Sequence, residues 1–366
     1  MLKIFEVEGF KNFKDKFTLD FSDIKEYKFN KECVNNQLLN SLIIYGKNSV
    51  GKTNFGYALF DITIHVVDKN KNLEVYKNYL NANNDKPYAS FKYVFQFGDV
   101  EIDYRYKKTN PEELLYEELH INNKKIFDFD FKKQKINLES INELDIQNLS
   151  WEFKDSSISI LKYIANNTKL KANSPIRLVV DFISKMLWFR SLEFNSYIGY
   201  QNGTDKIIKY IANNDLVKDF EEFLRRNDVD VNLRKIKSPS GEKQLYFDYK
   251  RPILFIDAAS SATKTLALFY YWYKHFSDTK FIFIDEFDAY YHFELSEKIV
   301  ELLKLNNCQS ILTTHNTNLL NNKILRPDCY FLITKKRITS LINVTSRELK
   351  EGHNLEKLYI NGEFNN

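Results

Sequence analysis

The residues that most restrict what this chain can become are Gly46-Lys47-Asn48-Ser49-Val50-Gly51-Lys52-Thr53, a complete match to G-x-x-x-x-G-K-[ST]. They follow Ser41-Leu42-Ile43-Ile44-Tyr45, a continuous apolar run of the kind expected in a strand buried on both faces. A helical stretch to about Val67 comes next. Strand, glycine loop and helix in that order aim backbone N–H groups at a phosphate held on a helix N-terminus. Gly46 and Gly51 let the backbone wrap closely around such a group. Lys52 supplies positive charge to the terminal phosphates, and Thr53 offers a hydroxyl to Mg²⁺. Lys47, Asn48, Ser49 and Val50 complete the loop, and Asn54 continues it into the helix as a further nucleotide-binding candidate.

Two later segments repeat the pattern of an apolar strand ending in a polar group. Phe281-Ile282-Phe283-Ile284 runs into Asp285-Glu286, where Asp285 is placed to hold Mg²⁺ and Glu286 to activate water as a general base. Ser310-Ile311-Leu312-Thr313-Thr314 runs into His315, a candidate γ-phosphate contact. The strand–helix–strand alternation of this last third predicts a parallel sheet, whose ligands gather at the carboxyl ends of the strands.

The remaining chain is read around that core. Its 366 residues can bury a sizeable interior, and 15% aromatic content excludes a disordered chain. A net charge of +4 gives no polybasic signal for nucleic acid or an acidic membrane surface. Cys33, Cys308 and Cys329 are too few and too scattered for a disulfide framework or a zinc site. With no signal core at the start and no apolar span, a cytoplasmic protein without a membrane partner is expected.

Alternating apolar residues from about Ser90 to Phe131 predict antiparallel strands, with Asn122-Asn123 as a tight hairpin turn. From about Lys135 to Asn227 the periodicity is helical, and one helix is expected from Pro175 through Trp188. The aromatic run Phe269–Phe276 reads as core packing and the short Lys-rich pieces as solvated faces. The expected division is 1–131 for the first part of the nucleotide domain, 132–250 for a mainly helical insertion with a β-hairpin, and 251–366 for the remainder.

Taken together the motifs resemble the ATP-binding-cassette class, and within it the compact AAA15/OLD-like ATPases related to the Rad50/SMC heads. Phe10-Lys11-Asn12-Phe13 resembles their F-[RK]-[SN]-F segment, and Asn48 gives the phosphate loop their G-x-N form. Ser260-Ser261-Ala262-Thr263-Lys264 resembles the signature S-[SD]-G-T-[KR], with Ala262 where glycine is usual. Asp285 to His292 resembles D-E-x-D-x-x-[LY]-H, and Asn354-Leu355-Glu356-Lys357-Leu358-Tyr359 a terminal N-L-E-K-x-Y block.

The resemblance implies an α/β ABC-type ATPase head with a parallel P-loop core sheet, an antiparallel β-subdomain and a helical insertion. It also implies ATP and Mg²⁺ as cofactors, and a homodimer or higher oligomer in which Ser260, Ser261 and Ala262 of one copy complete the ATP site of another. Lys11 becomes a candidate nucleotide contact, His292 a dimer contact, and Gln96 or Gln134 a glutamine reaching the metal or water. If the signature position needs φ > 0 or close approach, Ala262 makes hydrolysis slow or conditional.

Such heads act in bacterial anti-phage defence, often beside a separate effector such as a nuclease or toxin. The terminal block ends about fifty residues past His315, which leaves no expected room for an appended TOPRIM nuclease. The first expectation is therefore an ATPase that senses a trigger and controls a separate effector protein. The alternatives are a DNA-binding, repair-type clamp and an ATP-bound scaffold with negligible turnover.

Overall fold

The computed structural model describes residues 1–69, 73–139, 149, 151, 155–190, 196–199, 206–238, 241–289, 293–306 and 308–364. One seven-stranded sheet runs in the spatial order Ser196–Gly199, Met186–Arg190, Phe281–Asp285, Gln309–Thr314, Ser41–Tyr45, Tyr330–Ile333, Ile338–Ser340. The inner strands are all parallel, and the two edge strands are antiparallel to their neighbours. Every residue of Ser41–Tyr45, Phe281–Asp285 and Gln309–Thr314 is buried, as expected of inner strands covered on both faces. Gln309–Thr314 stands between the phosphate-loop strand and the acidic strand. Two strand spacings hold those carboxyl ends roughly 10 Å apart, enough to admit a phosphate chain between them.

A second seven-stranded sheet is wholly antiparallel, in the order Lys135–Leu138, Lys124–Asp130, Leu114–Ile121, Val100–Lys108, Ala89–Phe97, Leu2–Glu8, Phe17–Asp20. Asn122 and Asn123 make its expected tight turn, both at positive φ (48° and 62°), the conformation of a type I′ hairpin. The α/β architecture expected from the motifs, a parallel core sheet with an antiparallel sheet and flanking helices, is the one observed.

Between the two sheets lies the helix Lys52–Phe60, buried along nearly its whole length. Gly56 is why it can sit so close to the parallel sheet: a Cβ there would lie 2.7 Å from Trp188 and 2.8 Å from Phe283. On the opposite side Phe55 meets Phe5 edge-on at 5.6 Å, and Tyr93 Oη donates to the Ala58 carbonyl at 3.0 Å. Buried Gln309 fastens the sheets together, accepting from Leu2 N at 2.9 Å and donating to Leu2 O at 2.8 Å.

One sequence expectation is corrected here. The helix beginning at Pro175 ends at Ser184, and Met186–Arg190 is a strand paired in parallel with Phe281–Asp285. Met186-Leu187-Trp188-Phe189 is apolar enough to continue a helix or form a buried strand, and a short apolar run does not discriminate the two. Pairing with the acidic strand decides it. The 132–250 stretch thus contributes to the core sheet as well as supplying the helices Ile160–Asn167, Lys206–Asn213 and Val217–Arg226.

Farther along, the helix Ser261–Tyr273 buries Phe269, Tyr270, Tyr271 and Trp272, and Phe276 is buried beyond it, so most of the aromatic run is core while Tyr273 is exposed. Among the described residues no helix is long and apolar enough to cross a membrane.

The end of the phosphate-loop helix enters a fully buried polar network. Asp61, the next residue, is 2.9 Å from Lys108 Nζ and accepts from Tyr79 and Tyr106 hydroxyls at 2.9 Å. Nearby Glu117 accepts from Ser159 Oγ and from the N–H groups of Ile160 and Leu161, capping the helix Ile160–Asn167. Burial pushes its carboxyl above the ordinary value, against those donors and Tyr104, which hold it down.

Candidate functional site

The glycine loop turns into its helix through Gly51, whose φ of 108° suits glycine alone, and Ser49 is also left-handed at 61°. No side chain caps the helix at Gly51. The first-turn N–H groups and the positive end of the helix dipole are therefore available to an anion. Lys47, Asn48 and Ser49 are exposed, Val50 is buried, and Asn54 is half-buried.

Lys52 Nζ lies 3.0 Å from the Gly46 carbonyl, 2.7 Å from His315 Nε2 and 4.0 Å from Glu286 Oε1. Burial lowers its pKa, against the pull of Glu286, Asp285 and Asp288. If Lys52 is charged it can only donate, and His315 Nε2 is the acceptor of this contact. The 3.4 Å approach of Glu286 Oε1 to that same nitrogen is then no hydrogen bond. An anion that drew Lys52 away would free Nε2 for a proton.

The acidic pair sits where the core sheet places it. Asp285 Oδ2 accepts from Thr53 Oγ1 at 2.6 Å, and Asp285 Oδ1 from Thr313 Oγ1 at 2.6 Å. Burial raises the Asp285 carboxyl above its usual range, against both hydroxyl bonds. Thr313 in turn accepts from Glu286 N at 2.7 Å. Glu286 itself has φ 46°, left-handed geometry that a glutamate adopts at a cost of order 1–3 kcal/mol. The turn directs its half-buried carboxylate back toward Lys52 instead of onward along the strand.

A hydroxyl and a carboxylate in contact are hard oxygen donors, suited to Mg²⁺ when phosphate oxygens and water complete its shell. Among the described residues no set of three or more His, Cys, Asp or Glu could hold a metal without such help. Thr53 and Asp285 fit a metal that arrives with a nucleotide.

The other candidates divide. Lys11 Nζ donates to the carbonyls of Val75 (3.1 Å) and Lys77 (3.0 Å) and lies 5.3 Å from the Tyr57 ring centroid. Those groups, not the phosphate loop, engage its ammonium. The residue that touches the loop is the next one, Asn12, to which the sequence had assigned no role. Its Nδ2 donates to the Val50 carbonyl at 3.1 Å and its Oδ1 accepts from Asn54 Nδ2 at 2.8 Å. A Cβ on Gly51 would fall 2.3 Å from it. Asn in a loop-contacting F-K-N-F turn was the available signal. Replacing Asn12 by Ala is expected to weaken nucleotide binding roughly ten-fold. Calorimetric titration checks this, and undiminished affinity would remove Asn12 from the loop's support.

Gln96 Nε2 donates to Gly98 O and Gln134 Nε2 to Phe131 O, and neither side chain reaches the site. His292 lies outside the described residues. Ser260 caps the helix Ser261–Tyr273, its Oγ accepting from Thr263 N at 3.1 Å. Ser260 and Ser261 are exposed, and Ala262 sits in ordinary right-handed helix. Of the two conditions set for Ala262, positive φ is not met, because the residue lies in the first turn of a helix, which accepts alanine readily.

A family model described as "AAA domain, putative AbiEii toxin, Type IV TA system" matches residues 41–321. No curated protein matches the sequence. Similar solved structures include an SMC head bound to the C-winged helix domain of ScpA, 16% identical over 93% of this chain and 98% of its own, TM-score 0.47. The SMC head domain from Thermotoga maritima is 15% identical over 93% and 98%, TM-score 0.46. The recombination mediator RecF with ATP is 15% identical over 93% and 99%, TM-score 0.42.

Proposed function

This chain belongs to the AAA-domain family of that description, and from that premise we propose that it binds and hydrolyses ATP at Gly46–Thr53. The observation that carries the reading is the convergence of three strand ends. Thr53 contacts Asp285 at 2.6 Å, and Lys52 contacts His315 at 2.7 Å with Glu286 at 4.0 Å. In this reading the loop N–H groups cradle the β-phosphate and Lys52 turns from His315 to the β and γ oxygens. Thr53 and Asp285 would hold Mg²⁺, which would neutralise phosphate charge. Glu286 polarises the attacking water, and His315, relieved of Lys52, donates from Nε2 to the γ-phosphate.

Ser260, Ser261 and Ala262 are exposed or half-exposed at a helix start, as a segment reading the nucleotide of a second copy must be. We extend the proposal to a dimer or higher oligomer whose nucleotide state controls a separate effector protein, a nuclease or toxin, in anti-phage defence. With Ala262 unstrained, any effect that it has on hydrolysis in this reading is that of its methyl group at the proposed face between copies.

The test is nucleotide affinity. Lys52→Ala is expected to weaken binding of a fluorescent ATP analogue by roughly 10- to 100-fold, the loss of charge-assisted bonds to phosphate. Equal affinity in the variant and the parent would remove ATP from this loop.

A further inference from the structure

The terminal block Asn354–Tyr359 has no part in the site as described, yet it is bonded to the segment that carries His315. Thr317, two residues after His315, donates from Oγ1 to Glu356 Oε1 at 3.1 Å. Five residues farther on, buried Asn322 points Nδ2 at the carbonyls of Lys350 (2.9 Å), Glu351 (3.1 Å) and His353 (3.1 Å). Asn354 then caps the short helix Leu355–Ile360, its side chain accepting from Lys357 N at 2.8 Å. Leu355 is fully buried, and Tyr359 packs against Tyr45, the residue before Gly46, with ring centroids 6.4 Å apart.

The His315 segment is fixed from the other side as well. Asn316 N donates to Thr314 Oγ1 at 2.9 Å, and Tyr330 Oη lies 2.9 Å from Leu319 O and 2.8 Å from Asn321 O. His315, by contrast, is 41% exposed and takes its imidazole contacts from Lys52 and Glu286. Those contacts belong to the nucleotide pocket, and the backbone that carries the ring is bonded to Glu356 at Thr317.

We propose that Glu356 is a positioning residue for His315, acting through Thr317, so that a carboxylate outside the nucleotide pocket sets how well the histidine meets the γ-phosphate. This rests on the ATPase reading above. Releasing Thr317 lets the turn after His315 relax, and the imidazole loses alignment while the phosphate loop and its binding groups stay intact. The consequence is a loss in turnover without a loss in ATP affinity.

The experiment compares Glu356→Ala, Thr317→Val and Glu356→Gln, each alone and with His315→Ala. In the parent background Glu356→Ala and Thr317→Val are expected to lower kcat roughly ten-fold with ATP affinity unchanged. Glu356→Gln keeps an acceptor for Thr317 and should retain most of the activity. In the His315→Ala background Glu356→Ala should cost nothing further. Undiminished kcat in Glu356→Ala, or the same ten-fold loss with and without His315, overturns the brace. In parallel, the His315 imidazole is followed by ¹⁵N NMR in nucleotide-free protein, assigned by its disappearance in His315→Ala. Its resonances should shift in Glu356→Ala and Thr317→Val and move little in Glu356→Gln. Unmoved resonances overturn the brace whether or not the protein hydrolyses ATP. Shifted resonances in a protein without turnover would uphold the brace and sink the ATPase reading alone.

Discussion

Glu286→Gln is expected to lower ATP turnover by roughly 10²- to 10⁴-fold, the range that a positioned general base contributes, while ATP still binds. Glutamine keeps the shape of the side chain and the left-handed backbone at φ 46°, so the fold should not notice the change. It removes a negative charge that sits 4.0 Å from Lys52 Nζ. Nearby phosphates would be repelled less, so affinity holds or rises. The protein should therefore accumulate with ATP bound, and an oligomer stabilised by ATP should persist. Single-turnover phosphate release beside equilibrium binding separates the two effects. Turnover at the parental rate would remove Glu286 from the chemistry and leave the loop as a binding site only.

The second large effect falls on stability. Lys108 and Asp61 are fully buried and 2.9 Å apart, and Lys108 Nζ also donates to the Pro111 carbonyl. Burial lowers the lysine pKa, and the adjacent carboxylate is what opposes that. Lys108→Ala leaves the buried Asp61 charge with the Tyr79 and Tyr106 hydroxyls as its side-chain partners among the described residues. The expected cost is about 3–5 kcal/mol, read as a fall in urea midpoint with an unchanged slope. Adding Asp61→Asn should recover much of it, because the amide oxygen still accepts from tyrosine and no charge is left unpaired. A loss below about 1 kcal/mol in the single variant would mean that the pair is not ionised. Asp61 ends the phosphate-loop helix, so the same variant also tests how firmly that helix is tied to the antiparallel sheet.

How much of this was legible beforehand depended on the range of the interaction. Gly51, Lys52 and Thr53 carry a local signature, since a left-handed glycine before a helix start is a property of neighbouring residues. Asn122-Asn123 is local in the same sense, and its turn appeared as expected. Met186–Arg190 was misread because four apolar residues, Met186 to Phe189, suit helix and strand equally, and only the partner strand Phe281–Asp285 decides between them. Asn12 was invisible as a contact because it lies 38 residues from Val50 in the chain. Lys11 shows the converse: a family-like position gave it a nucleotide role, whereas two carbonyls and aromatic rings from residues 57 to 77 engage its ammonium.

The sequence by itself determined that an apolar strand, a glycine loop and a helix would present a phosphate cradle. It also determined that an aspartate, a glutamate and a histidine would close two further buried strands, since strand ends and loop glycines are set by residues a few positions apart. Tertiary structure alone decided that Gln309–Thr314 stands between the other two strands, and that Thr313 joins Asp285 to Glu286. It alone made Lys52 and His315 partners across 263 positions and tied Glu356 to the turn beyond that histidine. Those contacts come from strand order and from packing between distant segments, and no periodicity along the chain encodes which buried strand will lie beside which.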